Sequence, residues 1–293
     1  MDVPFLEIRE VTKLFSQVVA NRRVSFSLRG GEVVALLGEN GAGKSTIMKI
    51  LYGLYRADSG SILMAGREVR IASPRDAMAL GISMIQQHFS LVGTHSVTEN
   101  IILGSARGLI DRGDCRRRIG ELAAEYGFDI DPDALVRDLP VGVQQKVEIL
   151  KALYQRARLL IMDEPTAVLT PQEAQSLMLF VRSYAGRGNT VIFITHKLKE
   201  VMGVADRVIV MRNGEVHGDL SRADTNEREL STLMIGRELP PLGQAPAVLE
   251  GSPEVLRLEG LCVKDRHGVT RLKDLSFSIR RGCLLYTSPS PRD

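Results

Sequence analysis

Eight consecutive residues, Gly38-Glu39-Asn40-Gly41-Ala42-Gly43-Lys44-Ser45, match the spacing G-x-x-x-x-G-K-[ST]. Phosphate chemistry needs that spacing. Glycines let backbone N–H groups turn inward, and a helix beginning at the lysine aims its positive end at the anion. Lys44 would neutralise β- and γ-phosphates, and the Ser45 hydroxyl would ligate Mg2+. The expected phosphate cradle is therefore Gly38, Glu39, Asn40, Gly41, Ala42, Gly43, Lys44, Ser45 and Thr46. A second candidate is Leu159-Leu160-Ile161-Met162-Asp163-Glu164, an apolar run ending in two acids. Asp163 could hold Mg2+ through water, and Glu164 could accept a proton from an attacking water. Two acids after a strand usually mark a solvated turn; downstream of a phosphate loop the chemical reading prevails.

Such residues must be carried by strands that end where helices begin. Residues 33–37 read as a buried strand and 44–52 as the helix after the glycines, with further apolar strands at 159–162 and 191–195. Residues 208–211, Arg212-Asn213-Gly214 and Glu215-Val216 read as a hairpin, because Asn-Gly supplies the positive φ of a type I′ turn. Between 97 and 154 strand signals vanish and helix formers dominate, which predicts an inserted helical subdomain. Thr170 reads as an N-cap, with Pro171 at the first helical position and Glu173 completing a capping box; Gly186 and Gly188 should close that helix. Alternation of strands and helices predicts an α/β domain with a mainly parallel sheet.

Composition excludes several classes. Lys plus Arg number 38 against 35 Asp plus Glu, a net charge of +3 that is too balanced to signal nucleic acid. Cys115, Cys262 and Cys283 fit no disulfide or metal spacing, favour a reducing compartment, and leave Cys115 and Cys262 as small half-buried residues. The start, Met1-Asp2-Val3-Pro4-Phe5, shows no basic stretch followed by an apolar run, so no signal peptide is expected. Apolar runs are strand-length, too short to cross a membrane. Arg116-Arg117-Arg118 reads as a solvated helix face, and His217 and His267 show no partner in the spacing.

Residues 239–254 carry Pro240, Pro241, Pro246 and Pro253 and read as a linker. Beyond it the chain repeats itself. Leu256-Arg257-Leu258 echoes Leu6-Glu7-Ile8, and the run 275–282 echoes 24–31. A second domain is therefore expected to begin at 255–282 without its remainder, giving a few strands and no core. Residues 283–293 resemble the translation of a transposon-end sequencing adapter and are expected to be an assembly scar.

Asp163-Glu164-Pro165-Thr166, with Thr195-His196 after the next strand, resembles the ATPase domain of ATP-binding cassette (ABC) transporters over about residues 5–238. The resemblance implies a P-loop NTPase core of the ABC ATPase type, with an antiparallel β-subdomain near the N-terminus and the helical subdomain inserted. It implies ATP and Mg2+ as ligands. It further implies that Phe15 stacks on adenine, that Gln87 senses Mg2+ and water and contacts the permease, and that His196 is the switch on the γ-phosphate. Gln86 competes with Gln87, and Phe15 also fits a core or edge position. The segment Leu139-Pro140-Val141-Gly142-Val143-Gln144-Gln145 stands where the family has Leu-Ser-Gly-Gly-Gln. Pro140 lacks both hydroxyl and N–H, although proline suits the first turn of a helix. Thr170 likewise replaces an aspartate usual in the family.

These departures and the tandem repeat resemble the branch that imports nucleosides and simple sugars. Gln87-His88-Phe89, the run 97–101 and the run 147–153 look more like nucleoside-type than monosaccharide-type members. The implied partners are transmembrane permease subunits, a second cassette (tandem or self-paired) and, indirectly, an extracytoplasmic solute-binding protein, with no nucleic acid. The implied location is peripheral, on the cytoplasmic face of the inner membrane. Two other functions stay open: a non-hydrolysing regulatory nucleotide binder, and a soluble cassette ATPase acting on ribosomes or DNA.

Overall fold

A computed structural model describes residues 3–104, 111–237, 252–265 and 268–282. Most of the expected linker, the expected scar, Cys283 and His267 lie outside the described residues. The chain divides into two units, 1–239 and 240–293.

The first unit runs β1 (Leu6–Phe15), β2 (Val18–Leu28), β3 (Val33–Leu37), α1 (Lys44–Leu51), β4 (Ser59–Met64), β5 (Arg67–Val69), α2 (Pro74–Ala79) and β6 (Ile82–Ile85). It continues through α3 (Val97–Ile102), α4 (Arg112–Glu125), α5 (Val141–Tyr154), β7 (Leu159–Asp163), α6 (Pro171–Gly186), β8 (Thr190–Ile194), α7 (Leu198–Val204), β9 (Arg207–Arg212), β10 (Glu215–Ser221) and α8 (Glu227–Ile235). Antiparallel strands in the order β2-β1-β4-β5 form one sheet; the other has the order β10-β9-β3-β8-β7-β6. Within the latter every pairing is parallel except β9 with β10.

Continuous apolar runs make the parallel strands, because both of their faces are covered. Side chains alternate across a strand, and here the alternation divides one strand between two cores. Val33, Ala35 and Leu37, with Leu160, Met162, Val191 and Phe193, join the core packed by α3 to α8. Val34 and Leu36, with Leu159, Ile161, Ile192 and Ile194, join the core shared with β1, β2, α1 and α2. Burying each of these side chains other than Ala35 favours folding by about 1.5–3 kcal/mol. The central strands are thus held from both sides, and their carboxyl ends form a fixed edge for the loops that follow.

Residues 97–154 form the helical insert, and among the described residues there the only strand-like pairing is the bridge Ser96–Leu135. Its Arg116 and Arg117 pair with Asp133, Asp114 and Glu121, and Arg118 lies over the Tyr154 ring at 4.8 Å. Asn213 and Gly214 both have positive φ (52° and 80°), as the β9–β10 turn requires. Thr170 and Glu173 form the complete capping box of α6.

Some local expectations need correction. The strand expected at 191–195 is shifted back by one residue, because Thr190 pairs with Leu159 while the Thr195 hydroxyl is engaged by Glu200. Helix α1 stops at Leu51, with Tyr52 as its cap. Pro140 is not in the first turn of α5. It is the N-cap, with φ −56° and ψ 151°, and supplies no side-chain hydrogen bond. His217 has neighbours after all, the Arg212 guanidinium at 3.3 Å and Glu215 at 4.0 Å.

In the second unit β11 (Glu254–Lys264) and β12 (Thr270–Arg280) form an antiparallel hairpin. Its first strand begins inside the stretch expected as linker. None of its described side chains reaches full burial. Cys262 is exposed rather than half-buried, and its Sγ accepts the Asp274 N–H at 3.3 Å.

Candidate functional site

Loops leaving the carboxyl ends of β3, β6, β7 and β8 meet at one edge of the parallel sheet, where ligands of open α/β sheets bind. They enclose an open cleft of about 490 Å3, lined by residues 18–20, 40–46, Gln87, Asp163, Glu164 and Ile194.

The glycine loop takes its shape from close packing. Gly43 has φ +94°, and a Cβ there would lie 2.3 Å from the Ala20 carbonyl oxygen. At Gly38 a Cβ would lie 2.3 Å from the Met211 carbonyl oxygen. Buried Asn21 secures the loop from β2, its Nδ2 donating to the Gly43 carbonyl at 3.1 Å. Sequence reasoning missed Asn21; the available signal was an amide among the apolar residues of a strand.

Helix α1 begins at Lys44 with no side-chain cap, since Gly43 holds the N-cap. The first N–H groups of a helix lack intrahelical acceptors and carry its positive dipole end, so an uncapped start invites an anion. Lys44, 6% exposed, donates its Nζ to the Gly38 and Glu39 carbonyls, both at 2.8 Å. Burial holds this ammonium below its ordinary range, against the pull of Glu164 and Asp163. Asp163 is 7% exposed, and burial pushes its carboxyl up although the Ser45 hydroxyl donates to its Oδ1 at 3.2 Å. An anion beside Lys44 and a cation beside Asp163 would each favour the charged form of a desolvated group. These residues fit a phosphate chain with a divalent cation, which takes few protein ligands and completes its shell with phosphate and water.

Glu164 follows Asp163 in the left-handed region, with φ +46°, fixed by its N–H donating to the Ile194 carbonyl at 3.0 Å. Two side chains converge on its carboxylate. Gln87 Nε2 donates to Oε2, and His196 Nδ1 lies by Oε1, each at 3.2 Å. Gln86, the competing glutamine, instead lines a separate polar recess with Tyr52, Ser83 and Glu148. Phe15 is outside the cleft lining. It is 40% exposed, meets Tyr55 edge-on with centroids 5.1 Å apart, and has the Lys13 ammonium 5.3 Å from its ring.

Behind the cleft, Gln145 of α5 donates to the Pro165 carbonyl at 2.6 Å, tying the helical insert to the loop after β7. Thr166, Thr195, Lys197 and Glu200 form a further polar cluster that sequence spacing did not reveal. No helix among the described residues is long and apolar enough to cross a membrane.

Comparison with known proteins gives concordant results. The family model described as ABC transporter matches residues 21–167. The glucose import ATP-binding protein TsgD13 of Haloferax volcanii is 43% identical over 95% of this chain and 56% of its own length. The nucleoside import ATP-binding protein NupA of Lactococcus lactis is 44% identical over 94% of this chain and 55% of its own. The ribose import ATP-binding protein RbsA 1 of Rubrobacter xylanophilus is 47% identical over 95% and 55%. The chain thus spans about half the length of these curated relatives. Among solved structures, MJ1267, an ATP-binding cassette of an ABC transporter in its ADP conformation, superposes with a TM-score of 0.70. It has 23% identity over 79% of this chain and 95% of that one. CbiO1 of Clostridium perfringens, part of the transporter complex cbiONQ, gives 0.67 at 26% identity over 78% and 92%.

Proposed function

The chain belongs to the ABC transporter family, and on that premise we propose that it is the ATP-binding and ATP-hydrolysing part of an importer. The observation carrying this reading is the convergence of Gln87 and His196 on Glu164, beside an uncapped helix start and a buried lysine. Backbone N–H groups of Gly38 to Thr46 would surround the phosphates, and Lys44 would exchange its two carbonyl acceptors for phosphate oxygens. Ser45, Gln87 and Asp163 would hold Mg2+, Asp163 through water; a bound Mg2+ would supply neutralisation of the phosphate charge. Glu164 would take the proton of the attacking water while His196 contacts the γ-phosphate, and Phe15 would stack on adenine. Because the cassette would work by positioning, closure on a second cassette sets the chemistry and the helical insert carries the motion to a permease.

The proposed cargo is a nucleoside or simple sugar, with the nucleoside type favoured by Gln87-His88-Phe89 and the runs that match it. Relatives of both types occur at similar identity. Permease subunits, a second cassette and an external solute-binding protein are the proposed partners, at the cytoplasmic face of the membrane. Residues 5–238 would be one cassette, 239–254 a linker, 255–282 the opening of a second, and 283–293 foreign to both.

Two variants test the site. Lys44→Ala should abolish nucleotide binding, whereas Glu164→Gln should bind ATP as the wild type does and release no phosphate. Normal turnover by Glu164→Gln in an assembled transporter would overturn the assignment. In the segment 139–145, which would press on the nucleotide of a second cassette, Pro140 leaves the start of α5 without a hydroxyl, so that site would be weakened and Pro140→Ser is expected to raise its turnover. No rise would show that the missing hydroxyl does not limit turnover.

A further inference from the structure

The loop after β7 holds Glu164, and the loop after β8 holds His196. Adjacent strands bring the two loops together, with Asp163 paired to Ile194. Past the sheet edge, beside the Glu164 N–H bond to the Ile194 carbonyl, a side-chain cluster around Glu200 in the first turn of α7 also joins them. One carboxylate oxygen of Glu200 accepts the Thr166 hydroxyl at 2.6 Å, and the other accepts the Thr195 hydroxyl at 3.3 Å. Lys197 closes the ring. Its ammonium donates to the Thr166 carbonyl at 3.1 Å and hydroxyl at 3.0 Å, and pairs with Glu200 at 3.3 Å. The Lys197 N–H also donates to the Thr195 hydroxyl at 3.0 Å.

Thr166 and Thr195 are each only 2% exposed and Glu200 is largely covered, so the two hydroxyl–carboxylate bonds are shielded from water, while the Lys197 ammonium stays partly exposed. Charge-assisted hydrogen bonds are the stronger kind, and in a shielded setting a lost partner is expensive. The cluster grips the chain two residues after Glu164 and on both sides of His196, the pair whose side chains meet at 3.2 Å.

We propose that Glu200 is a positioning residue, cross-linking the two loops so that Glu164 and His196 stay at reacting separation; this rests on the proposed roles of those two residues. Glu200 touches neither phosphate nor water in this role. Its effect is on turnover, through geometry, where a displacement of about 1 Å can cost about 100-fold.

The test uses the full chain and two readouts. Provided the wild type hydrolyses ATP and Glu164→Gln does not, Glu200→Ala should lower kcat by about 10- to 100-fold while KM and the ATP Kd stay within about threefold. Glu200→Gln, which keeps one accepting oxygen, should recover most of that loss. The second readout needs no hydrolysis: the His196 imidazole resonance in NMR, identified by its loss in His196→Gln. Glu164→Gln should shift that resonance in the wild-type background and leave it unmoved in Glu200→Ala. If Glu200→Ala does not fold, Thr166→Val removes the same hydrogen bond with little change of shape. A kcat within twofold of wild type, or the same resonance shift in both backgrounds, overturns the proposal. Where the wild-type chain by itself hydrolyses no ATP, the resonance readout, which needs no turnover, decides the clamp alone.

Discussion

Two hairpins in this chain share a register but not an environment. In β1–β2, Leu6 faces Leu28, Ile8 faces Phe26 and Val11 faces Val24; in β11–β12, Leu256 faces Ile279, Leu258 faces Phe277 and Leu261 faces Leu275. Even the irregularities agree. Glu10 and Gly260 both have positive φ, and each donates its N–H to a serine hydroxyl, Ser25 or Ser276, at 2.8 Å. Thr12 accepts the Arg23 N–H at 3.1 Å where Cys262 accepts that of Asp274 at 3.3 Å. Yet Leu6 is fully buried and Leu256 is 45% exposed. Bulge, twist and register are local products of the strand sequences. Burial is not: the first hairpin shares a core with β4, α1 and the parallel sheet, whereas no described side chain of the second is fully buried.

The same alignment separates structure from chemistry. Asn21, which bonds the glycine loop at the Gly43 carbonyl, corresponds to Leu272, and the position of Phe15 corresponds to Asp265. The second hairpin therefore repeats the frame without the amide that bonds the glycine loop.

The largest expected difference between the hairpins is in stability. Ile8→Ala should destabilise the first unit by about 2–5 kcal/mol, and Leu258→Ala should leave that transition within about 0.5 kcal/mol, as read by urea unfolding. Equal losses would mean that the second hairpin also has a core. Next, Asn21→Leu, which installs the residue of the second hairpin, should strip the Gly43 carbonyl of its donor at a cost of about 1–3 kcal/mol. ATP affinity should fall with it, whereas Leu272→Asn should change neither quantity in calorimetric titration. Unchanged affinity in Asn21→Leu would break the link between that amide and the loop. The smallest effect concerns the shared bulges. Ser25→Ala should lower the unfolding free energy by about 0.5–1.5 kcal/mol, while Ser276→Ala should leave it unchanged.

Much of the site could be read from residue order because its parts are local. Gly38 to Ser45 is one contiguous motif, Asp163-Glu164 ends an apolar run, and the capping box of α6 lies within Thr170 to Glu173. The repeat at 275–282 was visible for the same reason. Where residues far apart in sequence meet, spacing was silent. Asn21 bonds Gly43 across 22 positions, and Thr166 bonds Glu200 across 34. The choice of Gln87 over Gln86 at Glu164 likewise depended on which way a short loop turns after β6. Pro140 shows a one-residue limit: proline chemistry predicts a helix start nearby, but its ψ of 151° makes it the cap rather than the first turn.

By itself, the sequence determined what short-range sterics and side-chain alternation decide: strand and helix identity, the glycine loop, the hairpin turn and the repeated bulges. Tertiary structure alone decided which face of β3 meets which core, how closely Glu164, Gln87 and His196 approach, and that one hairpin is buried while its twin is not. The physical reason is that hydrogen bonds and torsions act over a few residues, whereas burial and the meeting of distant carboxylates, amides and imidazoles depend on neighbours supplied by the whole fold.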